Sequence, residues 1–277
     1  MKKPVPYLIN AGGELLDLST PKVMGIVNLS PESFYTPSSV PSTPLQLHFN
    51  SPSTPLSADI VDIGACSTRP GHEEISPAEE ERRLRNWFQG QQPRANSQQP
   101  TVNSQQPIIS VDTARARIAR MCVEEYGVHI VNDVSGGADP EMFRTVAELG
   151  VPYVLTHTGG WTGDSMQFKA MADKVQQLRD LGQNDIIIDP GFGFGKTVEE
   201  NYALLWHLEE WQIFELPILV GVSRKSMIQH ILGCTADEAL NGTTVLNTIA
   251  LMKGANILRV HDVKEAQEAI KLTAEIK

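Results

Sequence analysis

"DIIIDPGFGFGKTVEENYALLW", residues 185–206, contains one complete structural unit. Ile186, Ile187 and Ile188 form a continuous β-branched run, the signature of a strand buried on both faces. Asp189 is the polar residue on which the run stops. A glycine-rich turn follows, and then a helical pattern. The stretch Gly195-Lys196-Thr197 resembles the close of a phosphate-binding loop. That loop needs G-x-x-x-x-G-K-[ST], and here the first glycine falls on Pro190, which has no N–H to offer. The dinucleotide pattern G-x-G-x-x-G fails too, because Lys196 stands at the third glycine position. The glycines are better read as a tight turn beside a ligand. Lys196 and Thr197 then open the next helix, with Thr197 as its cap.

The same unit recurs along the chain. "KVMGIVN" ends at Asn28, "ADIVDIG" at Gly64, and "PIISVDT" carries Asp112. "VHIVND" carries Asn132 and Asp133, and "PYVLTH" ends at His157. After the run at Asp189 come "PILVGVS", ending at Ser223, and "NILRVHD", with Arg259 and His261. Helical patterns lie between most of these. "SPAEEERRLRNWF" has Ser76 as cap, Pro77 at the first helical position and Glu79 to complete a capping box. "TARARIARMCVEEY" follows, with Thr113 available as its cap. "DPEMFRTVAELG" stops at Gly150, and "VEENYALLWHLEEW", "TVLNTIALMKG" and "KEAQEAIKLTAEI" complete the set. Strand and helix alternating in this way predict an α/β fold, a (β/α)8 TIM barrel over residues 1–277 as one domain. A doubly wound open sheet is the alternative. "YLINAGGELLDL" predicts a hairpin around Gly12-Gly13 that plugs the bottom of the barrel. Catalytic groups of a barrel gather at the C-terminal ends of its strands, which is where these polar residues fall.

With 277 residues the chain can bury a large core, and its net charge of −10 argues against a general nucleic-acid binder. The three cysteines are scattered and lack metal-ligand spacing. No segment reads as a signal peptide or a bilayer span, so a soluble cytoplasmic protein is expected. Two segments break the pattern. Residues 36–57 repeat "PSTPL" and carry five prolines, where the first outer helix of the barrel belongs. Residues 90–106 lead into a repeated "NSQQP" and read as a disordered insertion.

Taken together, "MGIVNLSPESF", "ADIVDIGACSTRPG", "IISVDT", "IVNDVSGG", "DPGFGFGKTVEENYALL", "PILVGVSRKSMI" and "ILRVHDV" resemble the dihydropteroate synthases of folate biosynthesis. The resemblance implies condensation of a dihydropterin diphosphate with p-aminobenzoate, with Mg²⁺ and a homodimeric assembly. It assigns Asp112, Asn132, Asp189 and Lys225 to the pterin. It assigns Asn28, Arg259 and His261 to the diphosphate, with Asn28 also a metal ligand. Thr68, Arg69, Pro70, Phe194 and Ser226 would form the p-aminobenzoate slot, where sulfonamides compete in that family. Asp112, Lys225, Arg259 and His261 would carry the chemistry. The residue types fit: a pterin edge is rich in N–H donors and wants carboxylate and amide acceptors, and a departing diphosphate wants fixed positive charge.

The chain departs from the family pattern in the loop after Asn28, where Glu32, Thr36 and Pro37 replace the usual residues. It also departs at Cys66, usually Glu, and at Thr156 and Thr158, usually Met. Two other readings therefore stay open. One is a divergent pterin-binding protein of low activity, and the other a methyltetrahydrofolate-dependent methyltransferase-like barrel.

Overall fold

A computed structural model describes residues 7–30, 57–66, 75–91 and 107–276. Eight parallel strands run β3 (Lys22–Asn28), β4 (Ile60–Gly64), β5 (Ile108–Asp112), β6 (Ile130–Asp133), β7 (Tyr153–Thr156), β8 (Ile186–Asp189), β9 (Leu219–Val220) and β10 (Ile257–Val260). From β3 to β8 each pairs with the next in sequence, and β10 pairs with both β9 and β3. A parallel bridge between Ile188 and Ile218 joins β8 to the chain entering β9. The sheet is thus closed, which excludes the open doubly wound alternative.

Strand alternation sorts the side chains into two cores. Outward residues such as Val61, Val111, Leu155, Ile188 and Val260 pack under the helices. Inward, each strand contributes one apolar residue to a second cluster: Met24, Ile60, Ile108, Ile130, Val154, Ile187, Leu219 and Ile257. Ile9, Ala11, Leu16 and Leu18 complete that cluster. They come from the hairpin β1 (Leu8–Ala11) and β2 (Glu14–Asp17), which closes the bottom of the barrel as the sequence suggests.

The helices are α1 (Pro77–Gln91), α2 (Ala116–Tyr126), α3 (Met142–Leu149), α4 (Ser165–Asp180), α5 (Val198–Trp206), α6 (Ser226–Leu232), α7 (Leu240–Met252) and α8 (Val263–Ala274). Thr197 caps α5 through a capping box with Glu200, and Gly150 ends α3 in the left-handed conformation. Four sequence expectations need correction. The predicted helix over residues 198–211 stops at Trp206 and continues as a 3-10 segment, Leu208–Phe214. Thr113 does not cap α2: its hydroxyl binds Glu80, and the Asp139 carboxylate from the next loop accepts from Ala116 N. At α1, Ser76 accepts from Glu79 N as expected, while the Glu79 carboxylate binds Arg82 and Arg83. Gly90 and Gln91, expected to open the insertion at 90–106, are the last residues of α1. Residues 92–106 lie outside the described residues, as do 36–56, where the first outer helix was in question.

The hairpin plug gives a direct test. Leu16 is buried and its neighbour Leu15 is 73% exposed. Leu16→Ala is expected to cost about 2–5 kcal/mol in denaturant unfolding, and Leu15→Ala within about 0.5 kcal/mol. Equal losses would show that the hairpin does not seal the barrel.

Candidate active site at the barrel mouth

Two residues above the plug residue, the same face turns polar on six of the eight strands; on β3 and β9 the position holds Ile26 and Gly221. The inward positions are Asp62 on β4, Ser110 on β5, Asn132 on β6, Thr156 on β7, Asp189 on β8 and Arg259 on β10. One position higher on β3 and β5 stand Asn28 and Asp112. The period-2 alternation that places isoleucines on the plug therefore also stacks the ionisable groups above it.

Arg259 organises this layer. Its Nε donates to Asp62 Oδ2 at 2.7 Å and its Nη2 to Asp112 Oδ2 at 2.7 Å. Asn132 Nδ2 donates to the same Asp62 oxygen at 2.9 Å. Burial works against the Arg259 charge, but the two aspartates more than offset it and the guanidinium holds its proton above the usual range. Asp112 is pushed up to about 7, chiefly by burial and further by Asp62, Asp133 and Glu80, while Arg259 opposes the shift. Burial also raises Asp189, against the pull of Lys225 and a hydrogen bond from Gly191 N at 2.8 Å. Burial brings Lys225 down to about 8, with Asp189 opposing the fall and Arg259 adding to it.

A cavity of about 310 Å³ opens over these groups. Asn28, Asp112, Phe194, Lys225, Ser226, Arg259 and His261 all line it, so seven of the sequence-expected residues meet at one mouth. Lys225 Nζ donates to Phe192 O and sits 4.9 Å from the centre of the Phe194 ring. Ser223 Oγ is 3.0 Å from His261 Nδ1. Asn132 and Asp189 lie buried in the polar layer, bound to Asp62 and to Gly191 N. Thr68, Arg69 and Pro70 lie outside the described residues.

Three features escaped the sequence reading. Asp62 is fully buried and binds both Arg259 and Asn132. It sits mid-strand and not at a strand end, and its sequence signal is the alternation Ile60-Asp62-Gly64. Arg224, inside "SRKS", lines the cavity and is also anchored from behind it. It pairs bidentately with Asp262 and donates to Ala236 O and Asp237 O, bracing the loops behind the site. Lys196 does not merely open α5. Its ammonium turns back onto the carbonyls of Gly191, His157 and Phe194.

The pterin binding enzyme family model matches residues 24–261. Dihydropteroate synthase of Escherichia coli K12 is 36% identical over 276 residues, covering 95% of this chain and 94% of that protein. A Xanthomonas albilineans dihydropteroate synthase solved with 4-aminobenzoic acid superposes with a TM-score of 0.83 at 30% identity, covering 98% of each chain. The Yersinia pestis enzyme in complex with a sulfonamide drug gives 0.80 at 33% identity, covering 98% of this chain and 99% of that one. The closed parallel barrel, its polar layer and these likenesses lead to one conclusion: the chain belongs to the pterin-binding enzymes, within the dihydropteroate synthase family.

Proposed function

We propose that the barrel mouth joins a dihydropterin-methyl diphosphate to p-aminobenzoate, giving dihydropteroate and diphosphate, by positioning and electrostatics alone. The observation that carries this reading is the division of the polar layer. Acceptors come from β4 to β8, and cationic or neutral anion-binding groups come from β3 and β10. Asp62 Oδ1, Asn132 Oδ1, Ser110 Oγ and Thr156 Oγ1 are buried without a hydrogen-bond partner among the described residues. That surplus suits a ring whose edge is rich in N–H donors. Asp112, Asn132 and Asp189 would take the pterin edge, with Lys225 beside it.

Arg259 Nη1 makes no hydrogen bond among the described residues, and with His261 it faces the cavity where a diphosphate would leave. As the carbon–oxygen bond to diphosphate breaks, positive charge grows on the methylene and negative charge on the leaving group. Fixed charges aimed at both lower the barrier. The arylamine nitrogen forms the new carbon–nitrogen bond and then loses its proton, so no side-chain nucleophile is needed. Phe194 and the stem of Lys225 would wall the flat ring, and Ser226, at the start of α6, would face its carboxylate. The Yersinia relative binds a sulfonamide drug; the same slot here is proposed to take sulfonamides. Asn28 offers a single neutral oxygen at the cavity wall, and no cluster of three His, Cys, Asp or Glu side chains is present among the described residues. This donor set fits Mg²⁺ that arrives on the diphosphate and keeps most of its waters. When bound, the metal would neutralise leaving-group charge.

Neighbouring helices α7 and α8 expose Val245, Met252 and Leu272, which supports the proposed homodimer. No described helix is long and apolar enough to cross a membrane, and the cytoplasm is the proposed location.

Incubation with the pterin diphosphate, p-aminobenzoate and Mg²⁺ should yield dihydropteroate and diphosphate in equal amounts. Pterin binding without diphosphate release would instead favour the low-activity alternative. The ionisations add a second test. Asp112 must be a carboxylate to accept N–H donors, so it is lost as pH falls through about 7. Lys225 loses its charge as pH rises through about 8. The profile of kcat/KM is expected to be bell-shaped, with limbs near these values. A flat profile from pH 6 to about 9 would contradict both assignments.

A further inference from the structure

The GKT triplet cannot be a nucleotide loop, yet its lysine is among the more tightly held in the molecule. We infer that Lys196 is a positioning residue whose ammonium clamps the Gly191–Phe194 turn and thereby sets the arylamine slot. Lys196 Nζ donates to Gly191 O at 2.8 Å and to His157 O and Phe194 O at 3.3 Å each. An ammonium has three donors, and each meets a carbonyl. Two of these carbonyls bracket the turn, and the third belongs to the end of β7. Lys196 is not part of the cavity wall, so it acts through what it holds.

The turn needs such a clamp. Gly191 has φ 75°, and a Cβ there would stand 1.9 Å from His157 O. The backbone therefore rests directly on β7, with no side chain from Gly191 to anchor it. Further ties come from Asn201 Oδ1, which accepts from Gly193 N at 2.7 Å, and from Gly159 N, which donates to Phe194 O at 3.3 Å. Three elements of the site hang on this turn: the Phe194 ring, Phe192 O, which receives Lys225 Nζ, and Gly191 N, which donates to Asp189 Oδ1. Asp112 and Asn132, by contrast, project from β5 and β6 and are tied to Arg259 and Asp62. Asp189 and Lys225 also meet the turn, at Gly191 N and Phe192 O, but the other two pterin groups do not, so loosening the turn should disturb the arylamine more than the pterin.

The inference rests on the assignment of Phe194 to the arylamine slot, so Phe194→Ala is measured alongside. Lys196→Met removes the charge and keeps the stem. It is expected to raise the p-aminobenzoate KM at least about tenfold while pterin diphosphate affinity, by calorimetry without arylamine, changes less than about threefold. Lys196→Arg, which keeps the charge, should recover most of the KM. If Phe194→Ala leaves that KM unchanged, the slot assignment fails. If Phe194→Ala raises it and Lys196→Met does not, the clamp alone is overturned. Lys196→Gln guards against misfolding of the Met variant. Equal losses in pterin affinity and arylamine KM, in either variant, would make Lys196 a general stabiliser and overturn the inference.

Discussion

One guanidinium held between two buried carboxylates underlies the whole site. Arg259 reaches across the barrel from β10 to Asp62 on β4 and Asp112 on β5. Taking such charges out of water is costly, and hydrogen bonding among them repays it only when the geometry is good. Here two contacts of 2.7 Å and the amide of Asn132 supply it. The balance is nonetheless uneven. Asp62, Asp112 and Asp189 face two cations, Arg259 and Lys225. Burial first, and this shortfall of positive charge after it, push Asp112 up to about 7. A site poised in this way binds a donor-rich ring with little extra reorganisation, because the acceptors are fixed before it arrives.

The barrel makes that arrangement possible by separating tasks along each strand and around the ring. Along most strands the plug residue is apolar and the next inward residue is polar. Around the ring, β3 and β10 are adjacent, so Asn28, Arg259 and His261 share one side of the mouth. The carboxylates and Asn132 occupy the other. The glycine turn after β8 then brings Phe194 and Phe192 O up to Lys225. Two substrates and a leaving group can each meet a different wall of one small cavity.

Much of this was legible in the sequence. The strands announced themselves because parallel strands are apolar on both faces, and the polar residue that ended each run was in most cases a residue of the mouth. What the sequence reading missed was mostly non-local. Helix α4 has a sound N-cap in Asp164, but it follows the irregular "THTGGWTGD" and was overlooked. Asp139 replaces Thr113 at the start of α2 because a neighbouring loop folds over it. Lys196 looked like the first residue of a helix because its three partners lie before it in the chain and across β7. Arg224 lines the cavity within "SRKS", but its partner Asp262, just after β10, is 38 residues away in the chain and gives no local signal. Asp62 is the exception, since plain alternation along β4 was enough to find it.

The central claim is that Asp62 shares Arg259 with Asp112 and so adds to the upward push that burial gives Asp112. Carbon-13 titration of the Asp112 carboxyl, in the wild-type protein and in Asp62→Asn, tests it most directly. The wild-type group should titrate near 7. In Asp62→Asn one source of repulsion is gone and Arg259 is left to Asp112, so the midpoint should fall toward the ordinary carboxylate range. An Asp112 midpoint that is the same in both proteins would contradict the account.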